Sequence, residues 1–349
     1  MQLNEILEEI RPADRAAAEA CSARLSNIAK PLGSLGKLET LLIRIAGICG
    51  SPEIDLSRKC VLVFCADNGV TVHGVTQCGS DVTASIARSL SRGKASVCAM
   101  SAACGADVFP VDMGIAAHVP GLTDRRMGSG TGDIFTGPAM SRETAERAIA
   151  AGAELVREKK EEGYRLIATG EAGIGNTTTA AAVSAVLLQK PAEQVTGRGS
   201  GLTDEGLQRK REVIRQAISV NRPDEHDPAD VIAKVGGFDI AAMTGAFLGG
   251  ASCGIPVVMD GVISAAAALA AVRMDERVKD FILTSHISAE PAGILLCEAL
   301  GFSPIIHGDL RLGEGTGAVA LFPLLDLASA VYNHAATFSD IAVEAYKKL

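Results

Sequence analysis

The sequence predicts an α/β fold: a parallel, Rossmann-like sheet of about six strands flanked by helices, with the helical chain ends as candidates for a small subdomain. Three observations carry that reading. Short continuous apolar runs recur along the chain, each closing in Gly or polar residues. Alanine-rich segments of helical character lie between them. Of the 349 residues 48% are hydrophobic, enough to bury a large core and too many for a disordered chain. At roughly 150 residues per domain, the length suits two domains or one large one.

The first ~55 residues read as helical. An amphipathic beat covers 4–10. Pro12, Ala13 and Asp14 open a second helix that runs to about Ala29, and Gly33 and Gly36 impose a turn before a third over 37–48. From Lys59 the texture changes. The apolar runs are 60–65, 107–111, 165–168, 255–259, 281–284 and 304–306. Unbroken apolar strands are buried on both faces, as in a parallel sheet. Helices are expected over 145–159, 178–188 and 264–272, and a last one over about 339–348. The uncharged stretch 240–259 is long enough to span a bilayer. Its four glycines, with Pro256, and its strand-like close favour a buried helix followed by a buried strand instead. Beside a large α/β region over 57–325, the chain ends 1–56 and 326–349 are candidates for a smaller helical domain.

Composition excludes several classes. Aromatics are 3% with no Trp, which gives no stacking platform for single-stranded nucleic acid, and a net charge of −8 repels phosphate backbones. The start lacks a basic and then apolar leader, so a cytoplasmic protein is expected. Nine scattered cysteines, an odd number without a Cys-x-x-Cys, fit neither a disulfide framework nor a zinc ribbon.

In an α/β sheet ligands sit beyond the carboxyl ends of the strands, so the residues after each run are the candidates. After 165–168 come Gly170, Glu171, Ala172, Gly173, Ile174, Gly175, Asn176 and Thr177, leading into an Ala-rich helix. A glycine turn at a helix N-terminus suits a phosphate, and a well-capped helix is the plain alternative. Three Gly-x-Gly-x-Gly tracts begin at Gly128, Gly197 and Gly313, none of them the dinucleotide fingerprint. The third holds Glu314, a carboxylate that would oppose a phosphate and reads better as a general base; a solvated loop Glu is the alternative. Asp67, Asp112, Asp260 and Asp309 also follow strands, with helix capping the commoner role of such residues. His286 and Glu290 lie four apart, a weak metal signal. Lys210, on a charged helix after the second tract, is a phosphate partner or part of a solvated face.

In this order the motifs resemble one family, the nicotinate-nucleotide:5,6-dimethylbenzimidazole phosphoribosyltransferases of cobalamin lower-ligand synthesis. The stretches that carry the resemblance cover 30–39, 65–69, 137–142, 170–178, 235–239, 256–261, 285–290 and 311–317. The resemblance implies transfer of phosphoribose from nicotinate mononucleotide to a benzimidazole base, giving an α-ribazole phosphate and nicotinate, in a homodimer. It implies Glu314 as general base, Glu171 as a second catalytic carboxyl, and Gly173, Gly175, Asn176, Thr177, Lys210 and Ser288 as substrate contacts. Cys78 and Ser80 would border the base. The chemistry it implies needs neither metal nor redox cofactor. The chain departs from the family's usual pattern at Asn68, where His is common, at Ala172, where Met or Leu is usual, and before Val82, where a Pro is missing. A nucleotide-dependent oxidoreductase and a non-catalytic nucleobase-binding protein are the alternatives.

Overall fold

The structure, a computed structural model, describes residues 1–346. Six strands form one all-parallel sheet: β1 (Lys59–Ala66), β2 (Ala106–Gly114), β3 (Thr123–Asp124), β4 (Leu166–Ala172), β5 (Val257–Met259) and β6 (Ile282–Thr284). Their order is β3-β2-β1-β4-β5-β6. The chain builds outward from β1 in one direction, then returns and builds outward in the other. The crevice between β1 and β4 is therefore the place where connections diverge and a ligand is expected. β1 and β4 are buried at every residue, which explains their unbroken apolar sequence.

Five of the expected strands are present. The sixth, 304–306, is reduced to a single parallel bridge between Ile306 and His286. The sixth strand of the sheet lies at the opposite edge: Thr123 and Asp124 pair with Val111 and Asp112. Two residues with no apolar run leave no trace in the hydrophobic pattern.

Among the helices, Leu3–Glu9, Arg15–Asn27 and Lys37–Cys49 match the expected N-terminal ones, and Arg142–Glu161, Asn176–Leu187 and Val262–Met274 match those between strands. The stretch 240–259 becomes the helix Phe238–Cys253 followed by β5. That helix crosses Arg142–Glu161 closely enough that a Cβ on Gly245 would sit 1.7 Å from the Ile149 carbonyl oxygen, and one on Gly152 would sit 1.9 Å from that of Ala242. Glycine at both positions is what permits this contact.

The expected last helix, 339–348, is not formed over its described part. Asp340 accepts hydrogen bonds from the Thr337 N–H and hydroxyl, closing a turn, and Ala342 adopts φ 54°. Lys347 and Lys348 lie outside the described residues. The last helix is Thr316–His334. By length and composition it is apolar enough to cross a membrane, but half of it is buried in the protein, and its Asp326 pairs with Lys59 at 2.8 Å. The chain ends meet: Ile28 bridges Thr337, and the Tyr332 hydroxyl donates to the Pro52 carbonyl at 2.7 Å. One continuous hydrophobic core runs from Ile6 through the sheet to Tyr332.

Candidate active site

A cavity of about 260 Å³ opens at the carboxyl edge of β4, β5 and β6. The helices Asn176–Leu187, Val262–Met274 and Thr316–His334 begin on it, preceded by Gly175, Gly261 and Gly315. Three helix N-termini turn their positive dipole ends toward one space, which suits an anion. Four carboxyl groups, Glu171, Asp260, Glu290 and Glu314, line the same wall against one guanidinium, Arg311. The cavity thus combines backbone sites for anions with side chains suited to positive charge.

Glu314 sits on strained backbone. Its φ is 60°, between Gly313 at 88° and Gly315 at 90°. Three successive left-handed residues make a sharp turn, and the middle one carries a side chain that this region disfavours. The turn lies directly on β4, where a Cβ on Gly170 would come within 2.4 Å of the Glu314 carbonyl oxygen. The Glu314 carboxylate accepts a hydrogen bond from Val97 N at 3.2 Å, in the first turn of the helix Ser96–Ala103. Strain held in place by its surroundings, at an acid on a cavity wall, is a mark of function.

Glu171 lies near the end of β4 and is 8% exposed. Its Oε1 packs against Gly313, so the end of β4 and the turn that carries Glu314 touch. Its Oε2 accepts from the Asn176 amide, which also donates to Asp239 Oδ2 at 3.2 Å. Burial, then the nearby Asp239, pushes the Glu171 carboxyl well above the usual carboxylate range. Burial likewise raises Asp239 to about 6.

Lys210 is fully buried behind the wall. Its Nζ donates to Thr177 Oγ1 at 2.8 Å, and burial lowers the ammonium to about 8. The tract beginning at Gly197 covers it: Gly199 N donates to Glu290 Oε1 at 3.0 Å, and a Cβ on Gly199 would lie 3.4 Å from Nζ. The tract beginning at Gly128 is elsewhere, packed beneath Asp67, to whose carbonyl Thr131 N donates at 3.0 Å.

A phosphoribosyltransferase family model matches residues 10–343. The chain belongs to that family. A relative from Acetivibrio thermocellus named nicotinate-nucleotide–dimethylbenzimidazole phosphoribosyltransferase is 47% identical over 326 residues, 93% of each chain. One of the same name from Escherichia coli is 41% identical, covering 95% of this chain and 93% of that one. Among solved structures, CobT from Thermus thermophilus superposes with a TM-score of 0.89 at 39% identity, over 94% of this chain and 99% of that one. The oxidoreductase alternative gives way to this membership.

Of the residues expected in the site, Glu171, Gly173, Gly175, Asn176, Thr177, Ser288 and Glu314 line the cavity, and Lys210 lies one layer behind. Cys78 and Ser80 do not line it. Cys78 is half-buried with Sγ 3.8 Å from Thr76 Oγ1, and Ser80 is exposed just before the helix Asp81–Ser91. Thr76 and Ile86 take their place on the wall. His286 and Glu290 both face the cavity from a loop, not from one helix face. Burial lowers the His286 imidazole, with Asp260 opposing. Asp260 does help cap, accepting from Ala318 N at 2.8 Å, yet also lines the wall. In the sequence Asp260 is legible as a residue that follows a strand, His286 and Glu290 as a pair four apart, and Arg311 only as part of the stretch 311–317.

Proposed function

We propose that this chain transfers phosphoribose from nicotinate mononucleotide to 5,6-dimethylbenzimidazole or a related base, releasing nicotinate and forming α-ribazole 5′-phosphate for the nucleotide loop of cobalamin. One observation carries the reading: Glu171 at the end of β4 and Glu314 on the turn touching it share the wall of a cavity onto which three helices open. The pyridine nitrogen of the nucleotide is cationic, so nicotinate departs as a neutral ring without an acid. The incoming azole nitrogen attacks the anomeric carbon from the opposite face, which inverts it to the α configuration. The azole's other N–H then becomes acidic, and Glu314 takes that proton. The carboxyl groups of the wall offset the positive charge of the ribosyl group in the transition state. Lys210, Thr177 and the helix N-terminus at Asn176 hold the 5′-phosphate. Three of the N–H groups there already have partners, since Asn176 N donates to Gly173 O, Thr178 N to Gly175 O and Ile174 N to Thr83 Oγ1. This leaves more of the phosphate's binding to Lys210 and Thr177.

Incubation with nicotinate mononucleotide and the base, followed by chromatography, should give nicotinate and a new nucleotide in equal amounts. Nicotinate without the second product would mark a hydrolase, and neither product would refute the reading. A cytoplasmic homodimer is part of the proposal, and light scattering on the eluting protein tests the dimer.

A further inference from the structure

Glu171 and Asp239 are both buried, both hydrogen-bonded to the one side-chain amide of Asn176, and separated by 68 positions in the chain. Among the described residues no cation lies within ion-pair distance of either. Two buried carboxylates that share one neutral donor group do not both ionise readily, because each adds its charge to the other's desolvation cost. The groups facing Glu171 from the surrounding elements sharpen this. Asp260 follows β5, Glu314 precedes the helix Thr316–His334, and the neutral thiol of Cys65 lies in β1. None of these supplies positive charge. The geometry also decides which acid keeps the proton. Asp239 lies in the first turn of the helix Phe238–Cys253, where its Oδ1 accepts from Ile240 N at 2.9 Å. A helix N-terminus favours the anion there. Glu171 has the Asn176 amide alone, and it faces the cavity.

We propose that Asp239, which does not touch the cavity, is a positioning residue acting through Asn176. The pair Glu171–Asp239 holds one proton, on Glu171, while the site is empty, and gives it up to solvent when the cationic ring of the nucleotide enters. The step is a single deprotonation: the Glu171 O–H bond breaks, the electron pair stays on the carboxylate, and the proton leaves to buffer. The arriving pyridinium supplies the positive charge that lets both carboxylates stand ionised, so Glu171 is charged only when there is a cation to stabilise. The high position of Glu171 and the more moderate one of Asp239 agree with this assignment. The inference rests on the phosphoribosyl-transfer reading for its ligand, though not for the resting state of the pair.

Calorimetric titration with nicotinate mononucleotide near pH 7, in two buffers of different ionisation enthalpy, reads the protons released. The parent should release close to ~1 proton per nucleotide bound. Asp239→Asn removes the second charge, lowers the Glu171 carboxyl, and should cut that release clearly below the parent's. The difference between parent and variant cancels protons exchanged by Lys210 and by the phosphate itself. The acid limb of kcat/KM should move to lower pH in the variant, with kcat reduced more than KM is raised. Equal release and an unmoved acid limb would overturn the proposal, since a merely structural Asp239 alters neither. Infrared spectra of the ligand-free parent against Glu171→Gln test the resting state without substrate: the carbonyl band of a protonated carboxyl should be present in the parent and lost in the variant. Its absence from the parent would overturn the proposal even if turnover is normal. Failure of the parent to bind the nucleotide at all would instead sink the functional reading.

Discussion

Two sets of residues on the cavity wall are held differently. Around β4 and the helix it feeds, side chains are pinned: Asn176 by two carboxyl groups, Lys210 by Thr177, Glu314 by Val97 and by a turn lying on Gly170. The wall also includes Thr76, Ile86 and Leu312, and Leu312 is 59% exposed. The segment around Cys78 and Ser80 is held by turns, Val82 N to Gly79 O and Thr83 N to Ser80 O, and by the Gln77 amide reaching the Gly201 carbonyl. The contrast teaches where precision is needed. In the proposed reaction, proton removal and charge stabilisation depend on sub-ångström placement, and the groups assigned to them stand at the end of a buried strand and just before a helix start. Recognition of a flat base tolerates looser walls.

The sharpest way to break this comparison is Glu314→Gln. The fold and nucleotide affinity should persist while kcat falls by roughly 10²–10⁴-fold, the usual weight of a general base. Steady-state kinetics beside binding calorimetry would show it, and a loss of only a few-fold would place the base elsewhere.

Lys210 comes next. If Lys210 holds the phosphate as proposed, Lys210→Met should raise KM for nicotinate mononucleotide by about tenfold or more, with little change in KM for the base, through loss of a charge-assisted contact. The same variant should be more stable without ligand. The folded ammonium titrates at about 8, below the ordinary lysine value. The unfolded chain therefore binds more protons between about 8 and the ordinary 10.5, and stability rises with pH across that window. Below it the buried charge destabilises the parent by up to ~3 kcal/mol, the equivalent of a shift of a few pKa units. Thermal melts of both proteins at pH 7 and pH 10 should converge at the higher pH. A parent as stable as the variant at pH 7 would contradict the burial argument.

The looser set predicts smaller effects. Competition between 5,6-dimethylbenzimidazole and benzimidazole should give a preference below about a hundredfold, since each methyl is worth at most ~1–3 kcal/mol even in a closed apolar pocket. A larger ratio would mean that Thr76, Ile86 and Leu312 close on the ring more tightly than their exposure implies. Least of all, Gln77→Ala should change KM for the base by no more than a few-fold and leave kcat alone. A large loss of kcat would make the Gln77–Gly201 contact part of the pinned set.

How much was legible follows the same division. Glu171 and Glu314 could be found because each stands in a glycine-rich turn after a buried strand or before an apolar helix, and that pattern is local. Asp239 could not be assigned a role, because its partner Asn176 lies 63 residues away and only the sheet brings them together. β1, β2 and β4 showed themselves as apolar runs, whereas Thr123–Asp124 is an edge strand too short to carry a pattern. The helix Thr316–His334 passed unread because it is apolar on nearly all sides and contains Pro323, so it shows no amphipathic beat. The tail after Phe338 has helix-forming composition, but the Asp340 turn overrides propensity there.

The left-handed backbone at Glu314 sets two selective pressures against each other. Glycine would relieve about 1 kcal/mol of backbone strain at that position, so any drift toward stability favours losing the side chain proposed as the general base. A lineage that stopped needing the product would be expected to lose this glutamate early. A glycine between Gly313 and Gly315 in a descendant would then read as a scar of disuse.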